Sequence, residues 1–270
     1  HLPPPPLQPW IPAGEAAVPQ LNVLSNGRLA TRITDYGAGD LQWSGLSLTR
    51  WRPDTTRDHW GYWIYLHDEE SSHSWPVTAG PSGDGDQEQR TVFFPHKAEF
   101  SRRTDDLFVR MEICVTAGDD VDIRRLEIQN ESNRTRRITV TSYAEIVMAD
   151  PRSDEMHPAF EKLFTEARYD ADLDMLEFHR RQRSPEEQPV VLAHRGFSES
   201  AADRCQGYET DRGRFLGRGG DASRPAALAG VRLSGTLGNT LDPILCVQVS
   251  ITLRPYATET VHLVTGVAGS

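Results

Sequence analysis

The chain has 270 residues, 37% hydrophobic and 25% charged, with 29 Lys+Arg against 39 Asp+Glu for a formal charge of -10. That length holds one large β domain or two ordinary ones, and the acidic balance repels phosphate backbones, which excludes nucleic acid as a partner. No run approaches the roughly 20 apolar residues that span a bilayer, so the segment is read as a soluble, non-spanning domain.

The first residues, His1-Leu2-Pro3-Pro4-Pro5-Pro6, form no signal peptide and read as a stiff, extended linker. Residues 1–20 are assigned to that linker and 21–270 to one β domain, as though excised from a longer chain. Asn26-Gly27, inside Ser25-Asn26-Gly27-Arg28, sits between two apolar runs and predicts a hairpin. From Leu107 to Val115 the apolar residues fall at every second position, with Arg110 and Glu112 opposite, which predicts a strand with one face on a core. Ala117-Gly118-Asp119-Asp120 and Asn130-Glu131-Ser132-Asn133 read as turns. Between them Val121 and Ile123 hand over to Leu126 and Ile128, and the slip at Arg124-Arg125 predicts a β-bulge. Alternation returns over Arg137 to Met148, at Val247, Val249 and Ile251, and at Val261, Leu263 and Thr265.

Helical signals are sparse: a short helix within His157 to Arg168, and one turn at Ser223 to Leu228. Gly80 to Gln89 and Arg180 to Gln188 read as exposed loops. The fold class is therefore all-β, a large antiparallel two-sheet sandwich with few short helices; two smaller β domains divided near Pro151 are the alternative. Cys114, Cys205 and Cys246 cannot complete a disulfide framework, and Cys114 and Cys246 lie in apolar runs where a thiol is buried and inert. The overlapping Asn130 and Asn133 sequons fall at a turn and are better read as turn residues.

Three segments carry the chemistry. Trp43 to Trp75 holds five of the six tryptophans, centred on Arg50, Trp51, Asp54, Arg57, Asp58 and Trp60. Aromatic platforms beside groups that hydrogen-bond in fixed geometry suit a sugar ring, with its flat C–H faces and hydroxyl rim. The plain alternative is tryptophan core with paired charges, since Trp60, Tyr62, Ile64 and Leu66 follow strand alternation. His157, in Met156-His157-Pro158, has the chemistry of an acid/base, although a lone His beside Pro also serves as a structural residue. Asp211 and Arg212, in Glu209 to Gly219, suit an ion-pair network or a domain interface. HExxH, GxSxG, GxxxxGK[ST] and EF-hand patterns are missing from the sequence. No metal or cofactor is expected, and no catalytic residue is assigned.

At these segments, together with Thr141-Ser142-Tyr143-Ala144-Glu145 and Leu241-Asp242-Pro243-Ile244, the sequence resembles the N-terminal β-sandwich domain of glycoside hydrolase family 94, formerly glycosyltransferase family 36. More narrowly it is similar to the phosphorylase-related region of bacterial cyclic β-1,2-glucan synthases. The resemblance implies a super-sandwich laid out like galactose mutarotase, followed in the family by a helical linker and an (α/α)6 barrel that carries the catalytic acid. It implies that the chain is a non-catalytic module, with its own C-terminal barrel as partner and a β-glucan oligosaccharide as ligand; a homodimer is compatible. The implied setting is the cytoplasmic side of a bacterial inner-membrane protein. Asp211 and Arg212 are then expected near the barrel-facing surface, and Trp51 and Trp60 to be at least partly structural. An autonomous glycan-binding module and a mutarotase-like enzyme using His157 are the competing readings.

Overall fold

A computed structural model describes residues 8–12, 18–53, 60–81, 88–185, 187–200, 205–229 and 233–269. In chain order the strands are β1 (Leu21–Ser25), β2 (Leu29–Thr34), β3 (Gly39–Trp43), β4 (Leu46–Thr49), β5 (Trp63–Asp68) and β6 (His73–Pro76). They continue as β7 (Gln89–Phe93), β8 (Ala98–Thr104), β9 (Leu107–Val115), β10 (Val121–Asn130) and β11 (Arg136–Ala149). Helices α1 (Pro151–Met156) and α2 (Pro158–Glu161) follow, then β12 (Thr165–Asp170), β13 (Met175–Arg180), β14 (Val190–Ser198) and β15 (Gly207–Tyr208). Helix α3 (Arg212–Leu216), β16 (Ile244–Leu245), β17 (Val247–Leu253) and β18 (Thr258–Gly269) complete the chain.

Among the described residues these form two antiparallel sheets. The eight-stranded sheet runs β12-β13-β14-β18-β10-β9-β8-β7, and the ten-stranded sheet runs β1-β2-β3-β4-β11-β17-β15 with β5, β6 and β16 branching beside β11. Both draw strands from either side of Pro151. The spine of the larger sheet is β11: its first half pairs with β5 and β17, its second half with β4 and β16. It is buried on both faces, because Ile138, Val140, Ala144, Ile146 and Met148 point into the sandwich, while Tyr143 points outward beneath a second apolar layer with Trp63, Tyr65, Phe215 and Ile244. The larger of these, Ile138, Val140, Ile146 and Met148, each contribute roughly 1.5–3 kcal/mol on full burial. The outer layer is supplied by the segment from Glu209 to Ile244, and it positions the site described below.

The expected hairpin at Asn26-Gly27 joins β1 to β2, and Gly27 takes φ +94, where a side chain would strain the backbone. Strand β9 has the bounds its alternation predicts. The expected bulge in β10 is corrected: its register against β9 is unbroken from Asp122 to Asn130. Asp122 and Arg124 simply take core positions, paired at 3.1 Å, while Ile123 faces outward. The register shift lies instead in β11, between Ile146 and Ala149, with Met148 at φ 51. The helix expected in His157 to Arg168 closes at Phe164, where β12 takes over. Arg180, expected in an exposed loop, is buried and bonded to Glu161 at 2.6 Å. Of the Gly80 to Gln89 loop, residues 82–87 lie outside the described set. Cys246 is buried as expected, whereas Cys114 is only half-buried, on the outer face of β9.

A polar bolt crosses the sandwich. Ser142 on β11 reaches His194 Nε2 on β14 at 2.9 Å, and His194 Nδ1 lies 3.0 Å from Thr265 Oγ1 on β18. Tyr62 Oη meets the same Thr265 at 3.2 Å. The Arg124 guanidinium lies 3.6 Å from the Tyr62 ring centroid and donates to the Tyr62 carbonyl at 3.0 Å. Asp122 accepts from Thr31 at 2.8 Å, so this buried pair is fully engaged. Burial pushes the His194 pKa down to about 3, leaving its ring neutral.

Candidate functional site

Beyond the end of β4 the chain brings Arg50 alongside β11, and the Arg50 N–H donates to the Glu145 carbonyl at 2.9 Å. The same arginine spreads its guanidinium over two acids: Nη1 donates to Glu145 Oε2 at 2.8 Å and Nη2 to Asp154 Oδ1 at 2.5 Å. Asp154 is held there by α1. That helix starts where it does because Pro151 needs no N–H partner in the first turn and Asp150 caps Arg152 N and Ser153 N at 3.0 and 3.1 Å. On the other side, α3 is capped by the Asp211 carboxylate, which accepts from Arg214 N at 3.2 Å. This aims Arg212 at the far oxygen of Glu145, with Nε 2.7 Å from Oε1. Arg212 also lies 3.8 Å from Asp242, and Lys162 contacts the same carboxylate.

Four cations, Arg50, Arg52, Lys162 and Arg212, thus meet three carboxylates, Glu145, Asp154 and Asp242. Burial would lower the Arg50 pKa, but the hydrogen bonds and charges of Asp154 and Glu145 outweigh it and raise the value. Lys162 moves the opposite way, lowered by burial and by the nearby Arg50 charge. Glycoside hydrolysis needs one carboxyl free to hold a proton and another free to attack or to activate water. Each of these three carboxylates is instead engaged by a cation.

The corner is flanked by exposed apolar side chains. Met156 is 71% exposed, Phe160 46%, Leu163 49% and Leu241 84%. The loop carrying Leu241 is tied alongside the helical turns by the Lys162–Asp242 contact and by Asn239 Nδ2 donating to the Thr165 carbonyl at 3.2 Å. Phe160 packs edge-on to Phe164 at 5.2 Å, with Arg183 lying 5.0 Å over it.

Of the residues singled out in the sequence, Arg50 and Arg212 converge on Glu145. Asp211 caps α3 and faces the helix N-terminus. Trp51 is half-buried against the outer apolar layer with Arg32 5.0 Å over its ring, and Trp60 is half-buried with Arg52 at 5.8 Å. Asp54, Arg57 and Asp58 lie outside the described residues. His157 links α1 to α2 through its backbone; its imidazole is exposed, with no hydrogen-bond partner among the described residues. Sequence reasoning did not single out Glu145, Asp154, Lys162 or Asp242. Glu145 and Asp242 fall inside blocks quoted for the family resemblance, which is the signal that could have found them.

Comparison with known proteins gives a consistent picture. The sequence model of the glycosyl hydrolase 94 supersandwich domain matches residues 10–270. A cyclic beta-(1,2)-glucan synthase, NdvB, of Rhizobium meliloti (strain 1021) is 37% identical over 227 residues, 84% of this chain and 8% of that protein. An N,N'-diacetylchitobiose phosphorylase of Vibrio proteolyticus is 23% identical over 89% of this chain and 30% of its own length. The solved structure of a candidate aldose 1-epimerase from Escherichia coli K12 superposes with a TM-score of 0.51 at 12% identity, over 93% of this chain and all of that one; at that identity the likeness speaks for the fold alone. The chain spans less than a third of these two longer relatives. With two antiparallel sheets, few short helices and a family match along nearly its whole length, the chain belongs to the glycosyl hydrolase 94 family, of which it carries the supersandwich domain.

Proposed function

We propose that this domain is a non-catalytic module of a cyclic β-1,2-glucan synthase-like glycosyltransferase or glycoside phosphorylase, packing on an (α/α)6 catalytic barrel and helping to guide β-glucan to it. The observation that carries the reading is the row of exposed apolar side chains, Met156, Phe160, Leu163 and Leu241, beside the ion-paired corner of Arg50, Glu145 and Arg212. Apolar groups gathered at one place and rimmed by charge mark an interaction surface. Relatives several times longer than this chain supply the further protein such a surface would meet. In this reading Arg50, Asp211 and Arg212 hold the surface rigid, and Trp51 and Trp60 support it from the side.

No helix among the described residues is long and apolar enough to cross a membrane; the proposed setting is the cytoplasmic side of a bacterial inner-membrane enzyme. The test is turnover. The purified chain, given β-1,2-gluco-oligosaccharides with and without inorganic phosphate, is expected to release no sugar phosphate and to form no longer or cyclic glucan. Turnover that scales with protein and survives further purification would overturn the reading.

A further inference from the structure

On the far side of the outer layer from the corner, β6 and the turn at Ala226–Leu228 enclose a groove of about 770 Å³. Its walls are tied to the fold at two points. Ser74 Oγ donates to the Leu228 carbonyl at 3.0 Å, and Tyr65 Oη donates to the Ala222 carbonyl at 2.6 Å. The groove is therefore pre-formed, and a ligand entering it would order little further chain.

The lining divides into two kinds of surface. Trp75, Pro225 and Leu228 are buried and apolar, whereas His73, Ser223 and Arg224 carry polar groups to the rim. His73 leans over Trp75, with ring centroids 5.1 Å apart, and its Nδ1 lies 2.6 Å from the Asp105 carboxylate. Nδ1 is thereby engaged with Asp105, and Nε2 has no hydrogen-bond partner among the described residues. The Arg224 side chain is exposed and has no ion-pair partner among the described residues, in contrast to the paired arginines of the corner.

We propose that this groove is a binding subsite for the pyranose rings of a neutral oligosaccharide. A sugar ring offers apolar C–H faces to one kind of surface and hydroxyls that both donate and accept to the other. The groove supplies an imidazole nitrogen, a guanidinium donor and a serine hydroxyl around an apolar floor. The inference rests on the reading of the chain as a glucan-handling module, and it names where on the domain the glucan would lie. The groove is separated from the corner by a packed aromatic row: Tyr65 lines it, meets Phe215 at 6.4 Å, and Phe215 stacks on Tyr143 at 4.8 Å. A sugar held here would leave the corner free for protein contact.

The test is titration of the intact chain with a β-1,2-linked glucotetraose to millimolar concentrations, followed through its amide NMR spectrum, with inorganic phosphate as a separate titrant. The expected result is saturable shifts at residues 72–76 and 223–229, and affinity weakened at least about fivefold in Arg224→Ala and in His73→Ala, the loss of one ligand hydrogen bond each. Both positions are exposed, and the variants' spectra report directly that they are folded. Tetraose binding that maps elsewhere and is unchanged in both variants overturns the groove while leaving the glucan-guiding reading intact. No tetraose binding by the folded chain overturns the groove and the guiding role together, and leaves barrel packing standing. Shifts at these residues with phosphate but not with tetraose overturn the sugar assignment.

Discussion

Arg50 meets Glu145 twice: its N–H donates to the Glu145 carbonyl at 2.9 Å and its guanidinium to the Glu145 carboxylate at 2.8 Å, with both side chains less than a tenth exposed. Removing the guanidinium leaves Glu145 and Asp154 buried without their shared partner, and breaking such a pair costs about 3–5 kcal/mol. Arg212, 37% exposed, grips the same carboxylate from the solvent side, where an ion pair contributes about 0–1 kcal/mol. Urea denaturation is therefore expected to show a large loss for Arg50→Met and a small one for Arg212→Met. Equal losses would contradict the division between a buried anchor and a surface partner.

His194 makes stability depend on pH. Burial holds its folded-state pKa at about 3, against an ordinary value of 6.5 in the unfolded chain. The unfolded state therefore takes up a proton as pH falls below 6.5 while the folded state does not, and stability is lost from there down to about pH 3. At pH 5 the loss from this residue is about 2 kcal/mol. Unfolding free energies at pH 7.5 and pH 5 should differ less in His194→Gln than in the unsubstituted chain, by about that amount. An identical pH dependence in both would show that His194 is not held neutral.

Gly196, on β14, is packed on its open side. A Cβ there would come within 2.8 Å of Val249 Cγ2 and 3.0 Å of Leu263 Cδ2, both in the sandwich core. Gly196→Ala is expected to cost about 1–3 kcal/mol through overpacking. Thermal denaturation checks it, and an unchanged midpoint would mean that β17 and β18 yield at no cost.

Cys246 is fully buried on the outer-layer face of the larger sheet, and burial raises its thiol pKa well above the ordinary range. Reaction with a thiol reagent at neutral pH is expected to label Cys246 only at the rate of unfolding. Labelling as fast as that of a small free thiol would place it at the surface.

Much of this fold was legible because β strands announce themselves by alternation. Leu107 to Val115 alternates without a break, and β9 has those bounds. The same logic failed next door, where Asp122 and Arg124 occupy core positions and a charged residue inside a sandwich looks, in sequence, like a surface one. Alternation alone calls for a bulge to restore the pattern; the fold supplies instead a Thr31 hydroxyl, a Tyr62 ring and a Tyr62 carbonyl to receive the pair. The site was half legible. The chemistry of Arg50 and Arg212 is visible in the sequence, but the residue that joins them, Glu145, lies 95 positions from one and 67 from the other. Sequence carries no local trace of a contact at that range. His157 attracted notice as an imidazole, yet the α1–α2 junction uses its backbone and leaves its ring in solvent.

The proposed packing of this domain on a catalytic barrel is tested most directly by amide hydrogen exchange, compared between the isolated chain and a longer enzyme that carries it. Protection is expected to rise across residues 156–164 and 237–242 in the longer protein, around Met156, Phe160, Leu163 and Leu241, and to stay unchanged over the β9–β10 hairpin. Equal exchange of 156–164 and 237–242 in both proteins would contradict the account.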